Sequence, residues 1–362
     1  MRLLSIHACK PGIRLAKKII NDEGLVLLAE NAELTASILK RLERLGIDFV
    51  YIADPMTEDV VVPELLSETT RRAAMLEIRS QFRRLMEQPV QKHKQAFSYP
   101  QLGKQFRKVL GSVIDDLSAH EDAMIMLTEI NSTDHYLFRH SLNVCMYATL
   151  LGIANGYSRD ELMTLGLGAL LHDIGKTQIS DDILLKPGPL TESEFAEMKR
   201  HTVLGFQMLK DEPNIPLLSA HCAFQHHERI NGSGYPRGLQ GDAIDEYAKW
   251  IGVVDSYDAM TCHRVYRQAR LPHQAMEILY TGSGTLYEQR MLETFRDKVA
   301  IYPLGIDVRL NTGEKGVVVR IHPSNPQRPV VRVLQSPDNT VLSAPYEIDL
   351  STRLNLIITE VG

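Results

Sequence analysis

Over residues 123–299 apolar positions recur at helical spacing almost throughout, with Leu162, Leu165, Leu167, Leu170 and Leu171 as one such set. The run Lys186-Pro187-Gly188-Pro189 interrupts this pattern, and Thr191-Glu192-Ser193-Glu194 after it fits a capping box that restarts a helix. Near the start, Leu34, Ile38, Leu42 and Leu45 keep helical spacing up to Gly46, a suitable C-terminal stop, and residues 47–52 read as a strand. From Glu64 to His120 the chain is rich in Arg, Lys, Glu, Leu and Met and is broken mainly around Pro89 and Pro100, as in amphipathic helices. Beyond Ile301 the pattern changes to β-branched runs between turn residues: Val308 and Leu310, then Val317 to Val319, then Val330, Val331 and Val333. The expected fold is mainly α. A small α+β module fills residues 1–60, a helical connector 61–120, a helical catalytic domain 121–300, and a small β-rich appendage 301–362.

Composition narrows the function. A chain of 362 residues with 44% hydrophobic residues has enough apolar material for more than one domain. Its net charge of -5 argues against a broad surface for duplex nucleic acid. With no apolar run of about 18 residues and no signal-peptide pattern at the start, the sequence predicts a cytoplasmic protein without a membrane span. Cys9, Cys145, Cys222 and Cys262 form no CxxC pair and read as small, mostly buried side chains. The cluster Arg71, Arg72, Arg79, Arg83 and Arg84 reads as a solvated helix face.

Chemistry concentrates in His140, His172-Asp173, His201, His226-His227 and Asp255. Imidazole and carboxylate together suit iron, manganese or zinc, and a carboxylate can bridge two ions. A lone His-Asp pair is ordinarily a structural hydrogen-bonded pair; the company of the other clusters points to a metal site. Gly175 would end the helix after His172-Asp173 or admit a close backbone approach, leaving Lys176 to meet a phosphate. After the double histidine, the glycine-rich string to Pro236 could bring backbone N–H groups to a phosphate and offer Tyr235 to a base or ribose. Two cations in such a site could share a water, lower its pKa towards neutrality and direct the resulting hydroxide at a phosphodiester.

These motifs together resemble the HD-GYP domain, a branch of the HD phosphohydrolases. The match runs through His140-Ser141-Leu142-Asn143-Val144, His172-Asp173-Ile174-Gly175-Lys176, His201, His226-His227-Glu228-Arg229, Asn231-Gly232-Ser233-Gly234-Tyr235-Pro236 and Asp255-Ser256-Tyr257-Asp258-Ala259-Met260-Thr261. The resemblance implies a helical bundle, an iron or manganese centre, and hydrolysis of cyclic di-GMP to the linear dinucleotide or GMP. It makes His140, His172, Asp173, His201, His226, His227 and Asp255 the metal ligands, with Asp173 the bridge. It sets Lys176, Asp258, Arg264 and Arg267 around the phosphates and the attacking water, with Asp173, Lys176 and Asp258 the catalytic set, and it puts Gly234, Tyr235 and Pro236 at the substrate's edge, where protein partners are also recognised. Members with three metals carry a glutamate four residues before the first histidine; here that position is Tyr136, so two ions are expected. The stretch Cys262-His263-Arg264-Val265-Tyr266-Arg267-Gln268 keeps the family's Arg and Tyr but changes their neighbours. His7, His93, His120, His135, His221, His263, His273 and His322 read as surface or structural side chains. The alternative to an enzyme is a cyclic-dinucleotide receptor signalling through partners, and a third reading is a phosphohydrolase of another nucleotide. Sensing, dimerisation and stabilisation are the roles left open to the N-terminal module.

Overall fold

The computed structural model describes residues 1–20, 26–87, 101–119, 136–261 and 270–362. Most of the helices pack around one core that runs from Leu65 to Ile301. Its members are α2 (Glu68–Met86), α3 (Leu102–Ser118), α4 (Tyr136–Ala154), α5 (Arg159–Leu171), α8 (His201–Leu209), α9 (Leu217–Gln225), α10 (Glu246–Thr261), α11 (Pro272–Thr281) and α12 (Gln289–Lys298). Between α5 and α8 lie α6 (Asp181–Leu184) and α7 (Glu192–Lys199). Local signals set several boundaries. Ser158 and Glu161 form a capping box on α5, and Thr191 and Glu194 form the one expected for α7, each satisfying N–H groups that the first helical turn leaves open.

The helices of the expected connector pack into this core. Ala74, Ile78, Phe82 and Leu85 of α2 and Phe106, Leu110, Val113 and Leu117 of α3 belong to the same core as the helices that follow. Phe82 meets Phe106 and Phe138 edge to face, at centroid distances of 6.3 and 5.8 Å. Of the five arginines on α2, Arg72, Arg83 and Arg84 are exposed, whereas Arg71 and Arg79 are partly buried.

The N-terminal segment pairs β1 (Arg2–Ser5) with β4 (Phe49–Ile52), and β2 (Ile19–Ile20) with β3 (Val26–Leu28), around α1 (Ala36–Arg44). Gly46 ends α1 with φ +68°, the left-handed conformation that glycine adopts without strain. At the other terminus β5 (Asp307–Leu310), β6 (Lys315–His322), β7 (Asn325–Gln335), β8 (Val341–Asp349) and β9 (Ile358–Val361) form an antiparallel sheet in the order β8-β7-β6-β5-β9.

The two chain ends are joined. Leu3, Tyr51, Val60 and Val62 share a core with Ile306, Val308, Val318, Val331 and Leu350, and Leu3 forms a parallel bridge with Ile306. Arg2 reaches both Asp54 at 3.0 Å and Asp307 at 2.7 Å, and Arg332 of β7 grips Asp59 at 2.6 Å. The β-rich tail is therefore packed on the N-terminal segment. No helix among the described residues is long and apolar enough to cross a membrane.

Candidate metal centre

Six elements converge on one buried point. His140 comes from the first half of α4, and His172 caps the end of α5. Asp173 opens the 3₁₀ turn Ile174–Gln178, His201 starts α8, His226 and His227 follow the end of α9, and Asp255 comes from α10. The ends of α5 and α9 deliver the adjacent pairs 172-173 and 226-227, because each pair must turn two residues toward one centre, which a continuing helix cannot do.

Gly175 makes the approach possible. A Cβ there would lie 1.9 Å from the His201 carbonyl oxygen and 2.6 Å from the Gly205 nitrogen, so the turn after Asp173 lies directly against the backbone of α8. Gly234 does the same for the loop beyond the double histidine: a Cβ would lie 2.4 Å from the His227 carbonyl oxygen. Glu228, buried beneath that loop, accepts from the N–H groups of Arg237 and Leu239 at 2.8 and 2.9 Å. Its role went unread in the sequence, although a glutamate directly after the histidines and before a glycine-rich loop is placed for it.

The ligand atoms fall into two groups, His140, His172 and Asp255 in one and Asp173, His201, His226 and His227 in the other; within each, one atom per residue lies within 4.8 Å of the others. Asp173 faces both. Its Oδ2 is 3.3 Å from His172 Nε2 and 3.6 Å from His140 Nε2, and its Oδ1 is 3.5 Å from His201 Nε2 and 3.8 Å from His226 Nε2. His227 and Asp255 approach each other at 3.9 Å, with side chains 19% and 10% exposed; Lys176, 18% exposed, lies with them on the open side.

The donor set fits cations. His172 Nδ1 donates to the Ala169 carbonyl at 2.7 Å, His201 Nδ1 to that of Met198 at 2.7 Å, and His226 Nδ1 to those of Cys222 and Ala223 at 3.1 Å. A carbonyl only accepts, so each neutral ring keeps its proton outward and turns the Nε2 lone pair inward. Nε2 atoms then face each other at 3.2 Å for His140 and His172 and at 3.3 Å for His201 and His226. Burial lowers the His201 pKa to about 4 and pushes those of His226 and His227 well below the ordinary value, so this group has no proton to relieve the repulsion. Asp173 Oδ1, fully buried, has no hydrogen-bond partner. A buried carboxylate oxygen among inward-facing lone pairs is what a positive ion stabilises.

His140 differs. Burial disfavours its charged form, but Asp255 at 3.1 Å and Asp258 at 2.6 Å outweigh it and raise the pKa to about 9. Asp258 is buried behind this ring. Its Oδ2 meets His140 Nδ1, and its Oδ1 accepts from Asn143 Nδ2 at 2.9 Å. Asp258 thus holds the His140 ring from behind. Asn143, one turn along α4, had not been singled out; its spacing of three from His140 is the signal that would have found it. Lys176 Nζ is 2.5 Å from Asp173 Oδ2. Tyr235 lies over His227, with centroids 4.7 Å apart and planes at 33°. Arg264 and Arg267 lie outside the described residues, as do Cys262 and His263, and nothing is described of the Tyr136 side chain. His273 stacks on Tyr302 and His322 pairs with Asp349, away from the centre.

Comparison with known proteins agrees with this geometry. Residues 123–291 match the HD domain, and residues 307–361 match a KOW domain associated with the HD domain. The chain is 34% identical over 244 residues to the cyclic di-GMP phosphodiesterase PA4108 of Pseudomonas aeruginosa, covering 66% of this chain and 58% of that one. It is 39% identical over 172 residues to a cyclic di-GMP phosphodiesterase of Thermotoga maritima, 47% of this chain and 46% of that protein. It is 36% identical over 189 residues to the 3'3'-cGAMP-specific phosphodiesterase 1 of Vibrio cholerae, covering 51% of this chain and 43% of the relative. The chain thus spans about half the length of these relatives. The fold is similar to that of Bd1817, an HDG"Y"P protein from Bdellovibrio bacteriovorus, with a TM-score of 0.52 and 17% identity over 82% of this chain and 98% of the other. With the convergent histidines, Asp173 and the Gly-Tyr-Pro loop in place, the helical core over residues 123–291 matches the HD domain family.

Proposed function

We propose that this chain is a metal-dependent phosphodiesterase that hydrolyses cyclic di-GMP to the linear dinucleotide, to GMP or to both. The observation that carries the reading is Asp173, a buried carboxylate whose two oxygens face two separate groups of histidines and one of which has no hydrogen-bond partner. His140, His172 and Asp255 would hold one divalent ion, and His201, His226 and His227 a second, with Asp173 shared. Iron or manganese suits these nitrogen and oxygen donors. Such a pair of ions supplies an activated water and neutralises charge on the phosphoryl oxygens.

The chain's own residues do the rest. Carbonyl-anchored Nδ1 atoms fix the imidazoles, so little reorganisation accompanies reaction. Lys176 offsets the charge of Asp173 and, at the open side, faces an incoming phosphate as a point charge. Gly234, Tyr235 and Pro236 border that opening, and Arg264 and Arg267 are assigned to the phosphates from their place in the motif. The same loop, at the surface beside the site, is our candidate for contact with signalling partners.

Turnover tests this directly. Protein purified without oxygen and reloaded with Fe(II) or Mn(II) is expected to convert cyclic di-GMP to linear product, and Asp173→Ala is expected to form none. Tight nucleotide binding by fully loaded protein without product would instead make the chain a receptor.

A further inference from the structure

Phe195 is one of the large apolar side chains left open on the surface, at 46% exposure. It sits on α7, one turn before Lys199 and six residues before His201, so the helix that leads into a metal ligand also carries this ring. Residues four apart share a helix face, and Lys199 Nζ lies 5.1 Å from the centroid of Phe195. The same ammonium is 5.9 Å from the centroid of Tyr235. Phe195 meets Tyr235 edge to face at 6.3 Å, and Tyr235 covers His227. A row of aromatic rings thus runs outward from the double histidine to the surface. Two acidic residues of α7 are matched elsewhere, Glu194 with Lys186 at 2.5 Å and Glu197 with Arg200 at 2.8 Å, while Lys199 lies over the rings.

Resting on the cyclic-dinucleotide reading above, we propose that Phe195 is a specificity residue, a platform on which one nucleobase of the substrate stacks while its phosphate lies at the metal centre. An exposed phenyl face beside a phosphodiester site fits the flat face of a purine, and every base has such a face. Lys199, over the rings, stands where it can meet an oxygen of the base or of its phosphate. Stacking of this kind tolerates either purine, so the platform holds guanine and adenine alike and selects cyclic dinucleotides over small phosphodiesters that lack a base.

The test uses full-length, metal-loaded wild type, Phe195→Ala and Phe195→Trp, with cyclic di-GMP as the probe and bound metal counted in each. Phe195→Ala is expected to raise KM roughly 5- to 150-fold with metal content unchanged and a smaller effect on kcat, and Phe195→Trp to restore KM. If wild type binds the dinucleotide without forming product, the hydrolytic reading fails and Kd replaces KM for the same comparison. A wild-type value in Phe195→Ala, a loss of metal, or no rescue by tryptophan overturns the platform. Absence of any cyclic di-GMP binding to wild type overturns both.

Discussion

At the residue scale, the pairing of His140 with Asp258 separates a role in metal binding from one in substrate contact. Asp258→Asn keeps the volume but leaves a weaker acceptor for His140 Nδ1, so metal affinity should fall about 10- to 100-fold with the KM of fully loaded enzyme unchanged. Chelator competition measures the first quantity; a raised KM at full loading would return Asp258 to the substrate. The histidines also predict how metal-free protein responds to pH. His201 is lowered by burial to about 4 in the folded chain from the ordinary 6.5 of the unfolded one, so its contribution is present above 6.5 and is lost as pH falls towards 4. His140 has the opposite sign: raised to about 9, it contributes fully below 6.5 and loses that contribution as pH rises through 9. Thermal unfolding of metal-free protein should therefore show losses on both sides of about pH 6.5. Bound divalent metal should abolish the alkaline loss, because it takes the place of the His140 proton. A metal-free protein equally stable at pH 6.5 and 9 would contradict the His140 assignment. The seven histidine and aspartate positions that the structure brings together could be singled out in the sequence because such clusters of imidazole and carboxylate are uncommon along one chain. The partners of Asp258 could not, since they lie 118 and 115 positions away.

At the scale of elements, the site depends on how closely the turn after Asp173 approaches α8. Gly175 was legible as a helix end or a close approach, and it is the approach that matters here. Gly175→Ala must move the turn off the His201 backbone, which should cost at least about 1–3 kcal/mol of stability and weaken metal binding with it. Denaturant unfolding and metal titration of the same variant check the two effects together; normal stability with normal affinity would show that the turn can shift freely. The capping box at Thr191 and the stop at Gly46 could be read because short-range hydrogen bonds and φ decide them. The destination of α2 and α3 could not. Periodicity tells which face of a helix is apolar, whereas the neighbour that covers it is fixed by tertiary packing, here with Phe138 and the helices that carry the metal ligands.

At the scale of the whole molecule, the unexpected feature is the union of the two chain ends. Each was legible as a small module with strands, but neither sequence says that Leu3 and Ile306 would meet, because residues so far apart leave no local pattern. Leu3, 1% exposed, lies in the shared core, and Leu3→Ala should cost about 2–5 kcal/mol. Measured by chemical denaturation, that loss should appear in the unfolding of both ends; two transitions, with the C-terminal sheet unaffected, would mean that they fold separately. The central claim concerns the helical core between them, where Asp173 is read as the ligand shared by two ions of a hydrolytic centre. The most direct test titrates Fe(II) or Mn(II) into metal-free protein while counting bound ions and cyclic di-GMP hydrolysis in the same samples. The account predicts that product appears as the second equivalent binds and that Asp173→Ala neither fills both sites nor forms product; hydrolysis without bound metal, or Asp173→Ala holding both ions at full activity, would contradict it.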